Sequence, residues 1–340
     1  MKKIIAFAYL IPIIFHLQSC NQREGAIIPD SGLYPGCKLP GNEPGLFAPG
    51  LITGSYQTRD VAISPNGKEI YFGARISRYY TIFVIKRDEN GWSDPSVLEH
   101  MENPDYMNIE PALSYDGSRF FFLSSRPDSI AGIEEGQQDI WVMDKTDDGW
   151  GEPYNLGPPV NTEQPGYYPS LTADGSIYFT RNEPNSSNIA YIYRSRYVNG
   201  SYQEPEKLPA QVNSGLSHYN AFVSPDESFI IVPTAGREDS YGGTDYYIIF
   251  RNRDDTWSEP INLGDKINTP DTFEYSAYLS RDGKYLFFMS RRFEDPPEKL
   301  SFEYLNQLNN RPESGNPSIY WMAADSLINS LREQAVFSSK

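Results

Sequence analysis

The segment LSYDGSRFFFLS, residues 113–124, places an Asp-Gly turn between an apolar residue and an aromatic-rich run. The same phrase returns as ISPNGK at 63–68, LTADGS at 171–176, VSPDES at 223–228 and LSRDGK at 279–284. The hydroxyl residues of the five copies are 50, 58, 52 and 56 positions apart. A recurrence of this length is typical of propellers and repeat arrays.

Each copy predicts a β-hairpin, because Asp-Gly and Asn-Gly suit the positive φ of a tight turn. The strand after each turn is a continuous apolar run rather than an alternating one, at residues 70–72, 120–122, 177–179, 229–231 and 286–288. Such strands need cover on both faces. The flanking blades of a propeller supply that cover, whereas a free-standing sandwich shows polar residues on its outer face.

A second tag, an aromatic residue shortly before Asp-Pro or Glu-Pro, marks four repeats at residues 91–95, 149–153, 202–205 and 257–260. Proline lacks a ladder donor and belongs on an edge, so this tag predicts the outer strand of a blade. Its recurring Trp residues predict packing rather than carbohydrate stacking. The fifth repeat lacks the tag, and residues 45–53 resemble the linker 156–162. We therefore expect residues 45–53 to close the ring as the missing outer strand.

The predicted fold class is all-β: a single β-propeller over residues 45–325, with five four-stranded blades closed by an N-terminal strand. Six blades are the alternative, if residues 21–55 and 292–317 supply further strands. Residues 299–310 read as a partly helical insertion. Residues 326–340 are predicted to form a short C-terminal helix and tail.

Residues 1–19 are predicted to be a signal peptide, with Lys2 and Lys3 before an apolar run too short to span a membrane. The ending Leu17-Gln-Ser-Cys20 resembles a bacterial lipobox, which implies that Cys20 carries lipid; an ordinary secreted protein is the alternative. Residues 20–44, rich in Gly and Pro, are predicted to be a flexible tether. Asn21 after the cysteine favours sorting to the outer membrane. The sequence leaves open whether the protein faces the periplasm or the outside.

The formal net charge is −16, or −18 if the leader with its two lysines is removed. Such a surface repels phosphate backbones, so nucleic acid is excluded as an expected partner. The chain has two cysteines. If Cys20 is lipidated, Cys37 is alone and forms no intramolecular disulfide.

Five Ser-Pro-Asp-Gly-like hairpins in register, each followed by an aromatic strand, resemble the WD40-like (PD40) repeats of TolB-related propellers. The ending Ile319-Tyr-Trp321 before a short helix is similar to lipoproteins of this group from Bacteroides-like bacteria. The resemblance covers residues 45–325 and implies a propeller in the cell envelope. TolB itself has a separate α/β domain, for which this chain has no room. TolB also has six blades, whereas this chain shows five hairpins. The resemblance supplies no catalytic residues.

The start of each first strand and the end of each second strand should share one face of the disk. Four residues before the hairpin hydroxyls lie Asp60, Glu110, Tyr168, Asn220 and Ser276. Two residues earlier lie Thr58, Asn108, Gly166, His218 and Glu274. The second strands end at Arg75, Arg126, Arg181, Arg237 and Arg291. We expect this face to hold a ligand-binding funnel, because binding groups gather on loops held by a rigid scaffold.

Pairing within the repeats is the structural alternative, for example of Arg126 with Asp139 and of Arg237 with Asp245. The members that do not repeat, Glu110, His218, Asn220 and Glu274, are therefore the better candidates for function. His218 has no second histidine with which to build a zinc site, so neither a metal nor another cofactor is expected.

Two functions fit these features. The first is a non-catalytic, lipid-anchored monomer that binds an envelope protein, a peptide or a glycan at the funnel. The second is a glycan-acting hydrolase or lyase that uses the carboxylates of Asp60, Glu110 and Glu274, two of which would have to lie about 5–9.5 Å apart. A binding role is favoured, since the hairpins lack the sialidase Asp-box spacing and no Gly-x-Ser-x-Gly elbow is present.

Overall fold

The computed structural model describes residues 34–35, 38–128, 132, 136–164, 166–184, 186, 189–270, 273–293 and 297–337. The predicted signal peptide, Cys20 and Cys37 lie outside the described residues. The described chain forms five β-sheet blades arranged as a propeller, which confirms the predicted fold class. The six-bladed alternative is not adopted.

The strands follow the repeats in order. The chain begins with β1 (Gly45–Leu46), which belongs to the last blade. The first blade contains β2 (Gln57–Ile63), β3 (Glu69–Ile76), β4 (Tyr79–Asp88), β5 (Gly91–Trp92) and β6 (Ser96–Val97). The second contains β7 (Asn108–Leu113), β8 (Arg119–Ser124), β9 (Asp139–Asp144) and β10 (Tyr154–Asn155). Within each blade, paired strands run antiparallel.

The third blade adds a small hairpin, β14–β15, beside its four strands. Its strands are β11 (Gly166–Leu171), β12 (Ile177–Asn182), β13 (Ala190–Ser195), β14 (Tyr197–Val198), β15 (Ser201–Tyr202) and β16 (Glu206–Lys207). The fourth blade contains β17 (Ser217–His218), β18 (Phe222–Val223), β19 (Phe229–Ala235), β20 (Thr244–Phe250) and β21 (Ile261–Asn262). The innermost position of this fourth blade is divided between β17 and β18, both of which pair with β19.

The fifth blade contains β22 (Tyr275–Leu279), β23 (Tyr285–Ser290), β24 (Ser318–Ala323) and, on its outer edge, β1. Gly45 pairs with Trp321 and Leu46 with Tyr320, so the start of the ring is fastened to its end, as predicted. The innermost strands contact one another in a cycle, β2 to β7, β11, β18, β22 and back to β2.

Helix α1 (Phe302–Asn309) lies in the insertion between β23 and β24, where partial helix was predicted, and none of its residues is buried. Helix α2 (Asp325–Glu333) follows the last strand and packs Leu331 against the fifth blade. Neither of these helices is long and apolar enough to cross a bilayer, and no other helix occurs in the described ranges.

The hairpin phrase is explained by the hydrogen bonds that its polar residues make. Ser114 Oγ donates to Asp116 Oδ1 at 2.6 Å and accepts the N–H of Arg119 at 2.9 Å. Asp116 Oδ1 also accepts the N–H of Ser118, two residues on, at 3.0 Å. Since side chains of this type satisfy turn backbone locally, each copy specifies its own hairpin without help from the rest of the chain.

The apolar core is divided between the blades. In the described residues, buried apolar side chains form five clusters, each joining two adjacent blades. The continuous apolar strands are therefore covered on both faces, as predicted. The Trp residues of the outer-strand tag take part: Trp150 is 8% and Trp257 4% exposed, and Trp150 Nε1 donates to Tyr71 OH of the preceding blade at 3.2 Å.

The packed chain begins before β1. Tyr34, inside the segment predicted as a tether, is only 3% exposed. Its ring centroid lies 5.3 Å from those of Tyr285 and Trp321 and 5.8 Å from that of Phe287. At this position the chain is therefore held on the fifth blade by aromatic contacts.

A buried charge cluster joins the third and fourth blades, and it supports a stability prediction. The Arg194 side chain, 3% exposed, lies 2.7 Å from Glu206 Oε1 and 2.8 Å from Asp255 Oδ2. Arg194→Met should lower the free energy of unfolding by about 1–3 kcal/mol, because it removes a buried guanidinium and its charge-assisted hydrogen bonds to Glu206 and Asp255. Urea denaturation measures the change.

Arg196 provides a matched control for this variant. It contacts the same two carboxylates, at 3.4 and 3.0 Å, but its side chain is 44% exposed. Arg196→Met should change the free energy of unfolding by about 0–1 kcal/mol, as exposed ion pairs do. Equal effects of the two substitutions would show that burial of Arg194 is not what makes the network important.

Candidate functional site

The five innermost strands are irregular at one equivalent position. The residues at that position have positive φ, of 53°, 62°, 54°, 38° and 67°, and are Asp60, Glu110, Tyr168, Asn220 and Ser276. In four blades the strand register shifts there, and in the fourth blade the inner strand is interrupted. Such bulges re-aim side chains. These are the residues that counting back four positions selected.

Side chains at this position connect one blade to the next around the axis. Asp60 Oδ2 accepts the N–H of Glu110 at 3.2 Å, and Glu110 Oε2 accepts the N–H of Tyr168 at 2.8 Å. Asn220 Nδ2 donates to Ser276 Oγ at 3.0 Å and to Glu110 Oε1 at 3.4 Å. All five residues are buried, and we call them the axial ring.

Arg59 ties two carboxylates of the axial ring together. Its Nε lies 2.8 Å from Asp60 Oδ2 and its Nη2 lies 2.8 Å from Glu110 Oε1. Its guanidinium also stands 4.7 Å from the centroid of the Tyr275 ring, a cation–π contact. One positive charge, on a side chain that is 16% exposed, is thus shared between two buried carboxyl groups.

A cavity of about 560 Å³ opens beside the axial ring, among the starts of the first strands and the ends of the second strands. Its wall combines five aromatic and three aliphatic side chains with charged, hydroxyl and amide groups. It is lined by Arg59, Tyr80, Met107, Ile109, Glu110, Leu123, Gln138, Tyr167, Asn182, Tyr219, Asn220, Thr244, Phe273, Glu274 and Tyr275. This combination of apolar walls and a few convergent polar groups is typical of ligand sites.

Glu110 is a carboxyl group of the cavity wall whose pKa is shifted by its surroundings. Burial raises its pKa to about 7; the Arg59 guanidinium opposes this shift and the negative charge of Asp60 adds to it. A raised pKa means that the folded chain binds a proton more tightly than the unfolded chain does. The stabilisation is complete below the ordinary pKa of 4.5 and is lost as the pH rises towards about 7.

This linkage gives a second prediction. Between about pH 5.5 and about pH 7.5, the wild type should lose about 2 kcal/mol of stability relative to Glu110→Gln, which carries no titrating group at this position. Urea unfolding of both proteins across this range measures the difference, and the opposing titration of His218 cancels in it. A difference that does not change with pH would contradict the raised pKa.

The structure brings some of the predicted site residues together. Glu110, Asn220 and Glu274 line the cavity, whereas Asp60 and Tyr168 lie in the axial ring outside its wall. The Glu274 residue is fully buried, and Oε1 of its carboxylate accepts hydrogen bonds from Thr269 Oγ1 at 2.8 Å and Ser290 Oγ at 3.2 Å.

Two other candidates are structural. His218 is fully buried and absent from the cavity wall; its Nδ1 lies 3.0 Å from the carbonyl of Ala190, and its Nε2 contacts that of Ser214. Burial lowers the pKa of His218. Asn108, also buried away from the cavity, accepts a hydrogen bond from Ser124 Oγ at 2.8 Å.

The expectation that the strand-end arginines gather around the cavity is corrected by the structure. Arg75, Arg126, Arg181, Arg237 and Arg291 are all described, and none lines the cavity. Their guanidinium groups reach neighbouring backbone instead: Arg75 donates to Ser77 O, Arg181 to Val160 O and Arg291 to Gly315 O.

The two expected arginine pairs also differ. Arg126 donates to Asn108 Oδ1 and His100 O, each at 3.0 Å, rather than to Asp139. Arg237 pairs with Asp239 at 2.9 Å rather than with Asp245. Each of these guanidinium groups bonds to acceptors near the end of its own strand. The position of a residue in a strand does not predict which acceptor that is.

The main cavity residues that we did not predict follow one rule. Each lies immediately before a member of the axial ring: Arg59, Ile109, Tyr167, Tyr219 and Tyr275. Regular strand alternation sends adjacent side chains to opposite faces, so we did not consider this position. Because the bulge breaks the alternation, counting five residues back from each hairpin hydroxyl would have found it.

The described part of the chain contains no group of three or more His, Cys, Asp or Glu side chains that could hold a metal ion. No protein-family model matches the sequence, and no curated protein matches it. The similarities to known proteins that follow are therefore similarities of fold.

Among solved structures, the catalytic domain of a Coprinopsis cinerea GH62 α-L-arabinofuranosidase is similar, with a TM-score of 0.50 and 12% identity over 85% of this chain and 99% of that one. TolB from Acinetobacter baumannii gives a TM-score of 0.44 and 16% identity over 69% of this chain. This chain covers 49% of TolB. A Podospora anserina α-L-arabinofuranosidase gives 0.46 and 10% identity, covering 84% of this chain and 98% of that one. At these identities the likeness concerns the propeller fold.

Proposed function

We propose that this chain is an envelope-anchored propeller that binds the end of a glycan in its axial cavity without cleaving it. The observation that carries this proposal is the composition of the cavity wall: four tyrosines and Phe273 surround the Arg59–Glu110 pair and three amide side chains. Aromatic faces pack against the apolar faces of sugar rings, while amide and carboxylate groups pair with hydroxyls.

A glycan fits the cavity better than a peptide does. A peptide that joins a sheet needs free backbone donors and acceptors along an exposed edge. At the axis, the N–H groups of Glu110 and Tyr168 are already occupied by the side chains of Asp60 and Glu110. The inner strands therefore offer little backbone for pairing, and recognition falls to side chains.

The hydrogen bonds of Glu110 favour binding over catalysis. Its carboxyl oxygens accept from Arg59 Nη2 at 2.8 Å, Asn220 Nδ2 at 3.4 Å and the N–H of Tyr168 at 2.8 Å. A general acid must hand its proton to the leaving oxygen of the substrate. Glu110 is instead surrounded by donors of the protein itself, so its carboxyl oxygens are engaged in holding the site together.

Glycan hydrolysis is the second candidate, and the pKa of about 7 at Glu110 favours it. A raised pKa is what a carboxylic acid needs to protonate a glycosidic oxygen near neutral pH. In that case Glu274, on the same cavity wall, would act as the second carboxylate.

A glycan array probed with residues 21–340 tests the proposal, with a peptide array in parallel. For the best glycan, Tyr219→Ala should weaken binding about tenfold through lost stacking. Tyr154→Ala, a half-exposed tyrosine on β10 away from the cavity, should not change it. Chromatography of the incubated glycan detects cleavage: products would establish the hydrolase instead, and binding of peptides alone would overturn the glycan proposal.

The envelope location rests on the leader and on the resemblance to PD40-repeat lipoproteins of Bacteroides-like bacteria. We expect Cys20→Ser to release the protein from the membrane fraction, because the lipid attached to Cys20 would be its sole anchor. Fractionation of cells that express the two forms measures this release. Continued pelleting of the variant with membranes would contradict the lipid anchor.

A further inference from the structure

The axial ring beside the cavity carries, with Arg59, more negative than positive charge. Asp60 and Glu110, with side chains 1% and 4% exposed, share the single guanidinium of Arg59. Farther along the wall, Glu274 has the positive charge of Arg292 nearby: burial lowers the pKa of Arg292, and the negative charge of Glu274 opposes that shift. One carboxylate charge of the Asp60–Glu110 pair is therefore left over.

A buried uncompensated charge is unfavourable, and the site has two ways to remove it. In the empty cavity, a proton on Glu110 removes it, and this is why burial beside Asp60 raises the pKa of that group to about 7. A cation that enters the cavity would remove it equally well. Protonation of Glu110 and binding of a cation therefore compete with each other.

The wall is suited to a cation as well. The Tyr275 ring already accepts a positive charge, that of Arg59, 4.7 Å from its centroid. Tyr80, Tyr167 and Tyr219 present further rings to the same space. Aromatic faces attract ammonium groups, and more strongly where water is excluded.

From this geometry we propose that the cavity recognises a cationic sugar, an amino sugar whose amino group is free and protonated. The inference rests on the proposed glycan-binding function and narrows its ligand class. The ammonium group lies against Glu110 and the tyrosine rings, and the sugar ring packs on the remaining aromatic wall.

The charged and titratable groups that face Glu110 are Arg59 and Asp60 on β2 and Tyr167 and Tyr168 on β11. The pKa values of both tyrosines are raised by burial, so neither ionises near neutral pH. Binding of the ammonium group should therefore displace one proton, from Glu110. Below pH 7, Glu110 is protonated in the free protein. In that range the affinity for the ammonium group should increase by up to about tenfold for each unit by which the pH is raised.

The experiment is calorimetric titration with a trimer of glucosamine and with the matched trimer of N-acetylglucosamine, which has the same rings without the charge. We expect the glucosamine trimer to bind at least tenfold more tightly. Its affinity should rise severalfold from about pH 5.5 to about pH 6.5, where the ammonium stays charged. In Glu110→Gln this rise should disappear and binding should weaken, while Glu152→Gln, an exposed site, should match the wild type.

The outcomes separate this inference from the proposed function. Equal binding of the two trimers, or binding only of neutral glycans on the array, would overturn cation recognition and leave glycan binding standing. Binding of a lysine-bearing peptide amide but of no amino sugar would overturn glycan binding and retain the cation site. The comparison of ligands uses the wild type, so it stands even if Glu110→Gln fails to fold.

Discussion

Deletion of residues 45–53 is expected to lower the melting temperature by at least about 10 °C, because it removes two large buried side chains together with the strand that closes the ring. Phe47 and Ile52 are fully buried, and the Phe47 ring lies 4.8 Å from Phe287 and 5.2 Å from Trp321. Loss of such side chains costs about 2–5 kcal/mol each, a large part of a typical stability of 5–15 kcal/mol.

Differential scanning calorimetry measures this effect, and the chain offers a matched control of equal length. Replacement of residues 301–309 by a Gly-Ser linker removes helix α1, which buries none of its residues. That variant should melt within a few degrees of the wild type. An unchanged melting temperature after deletion of residues 45–53 would refute the role of β1 as the closing strand.

Arg59→Met should be among the most damaging single substitutions, with a loss of about 3–5 kcal/mol in the free energy of unfolding near neutral pH. It leaves the carboxylates of Asp60 and Glu110 buried together without their shared guanidinium. Loss of the Arg59 guanidinium, which lowers the pKa of Glu110, should raise that pKa further, so acidification should restore part of the lost stability as a proton on Glu110 replaces the missing charge.

Urea denaturation at two pH values tests both parts of this prediction. Arg75→Met is the matched control, because Arg75 is only partly buried and donates to a single backbone carbonyl, that of Ser77, at 3.1 Å. It should cost less than about 1 kcal/mol. If the Arg59 variant were as stable as the Arg75 variant, the Asp60–Glu110 pair would not depend on Arg59.

The hairpins and blades could be predicted because their signals are local. Ser114 and Asp116 hold a turn through hydrogen bonds to residues within five positions, so each copy of the phrase predicts the same turn. The continuous run at residues 120–122 has one physical solution, burial on both faces. Closure by β1 followed from counting strands, since one blade lacked its outer member.

The cavity was predicted only in part, because its residues depend on a break in strand alternation. Counting from the hairpins reached Glu110, but Arg59 and Tyr219 each lie one position before the ring member of their own blade. Arg59 lies at a register shift and Tyr219 at the interruption of the inner strand, and both line the cavity. The hydrogen-bond partners of long side chains also could not be predicted from the repeat pattern. Arg181 donates to the carbonyl of Val160, an acceptor whose position is decided by packing.

The amino-acid sequence by itself determined the repeat, the turn chemistry and the face on which a cavity would form, because each follows from contacts between residues near in the chain or from burial of apolar strands. It favoured five blades over six, and the structure decided between them. Only the tertiary structure decided which carboxylates meet. Asp60 and Glu110 are 50 positions apart, and they share Arg59 because the ring brings equivalent strands of adjacent blades together at its axis.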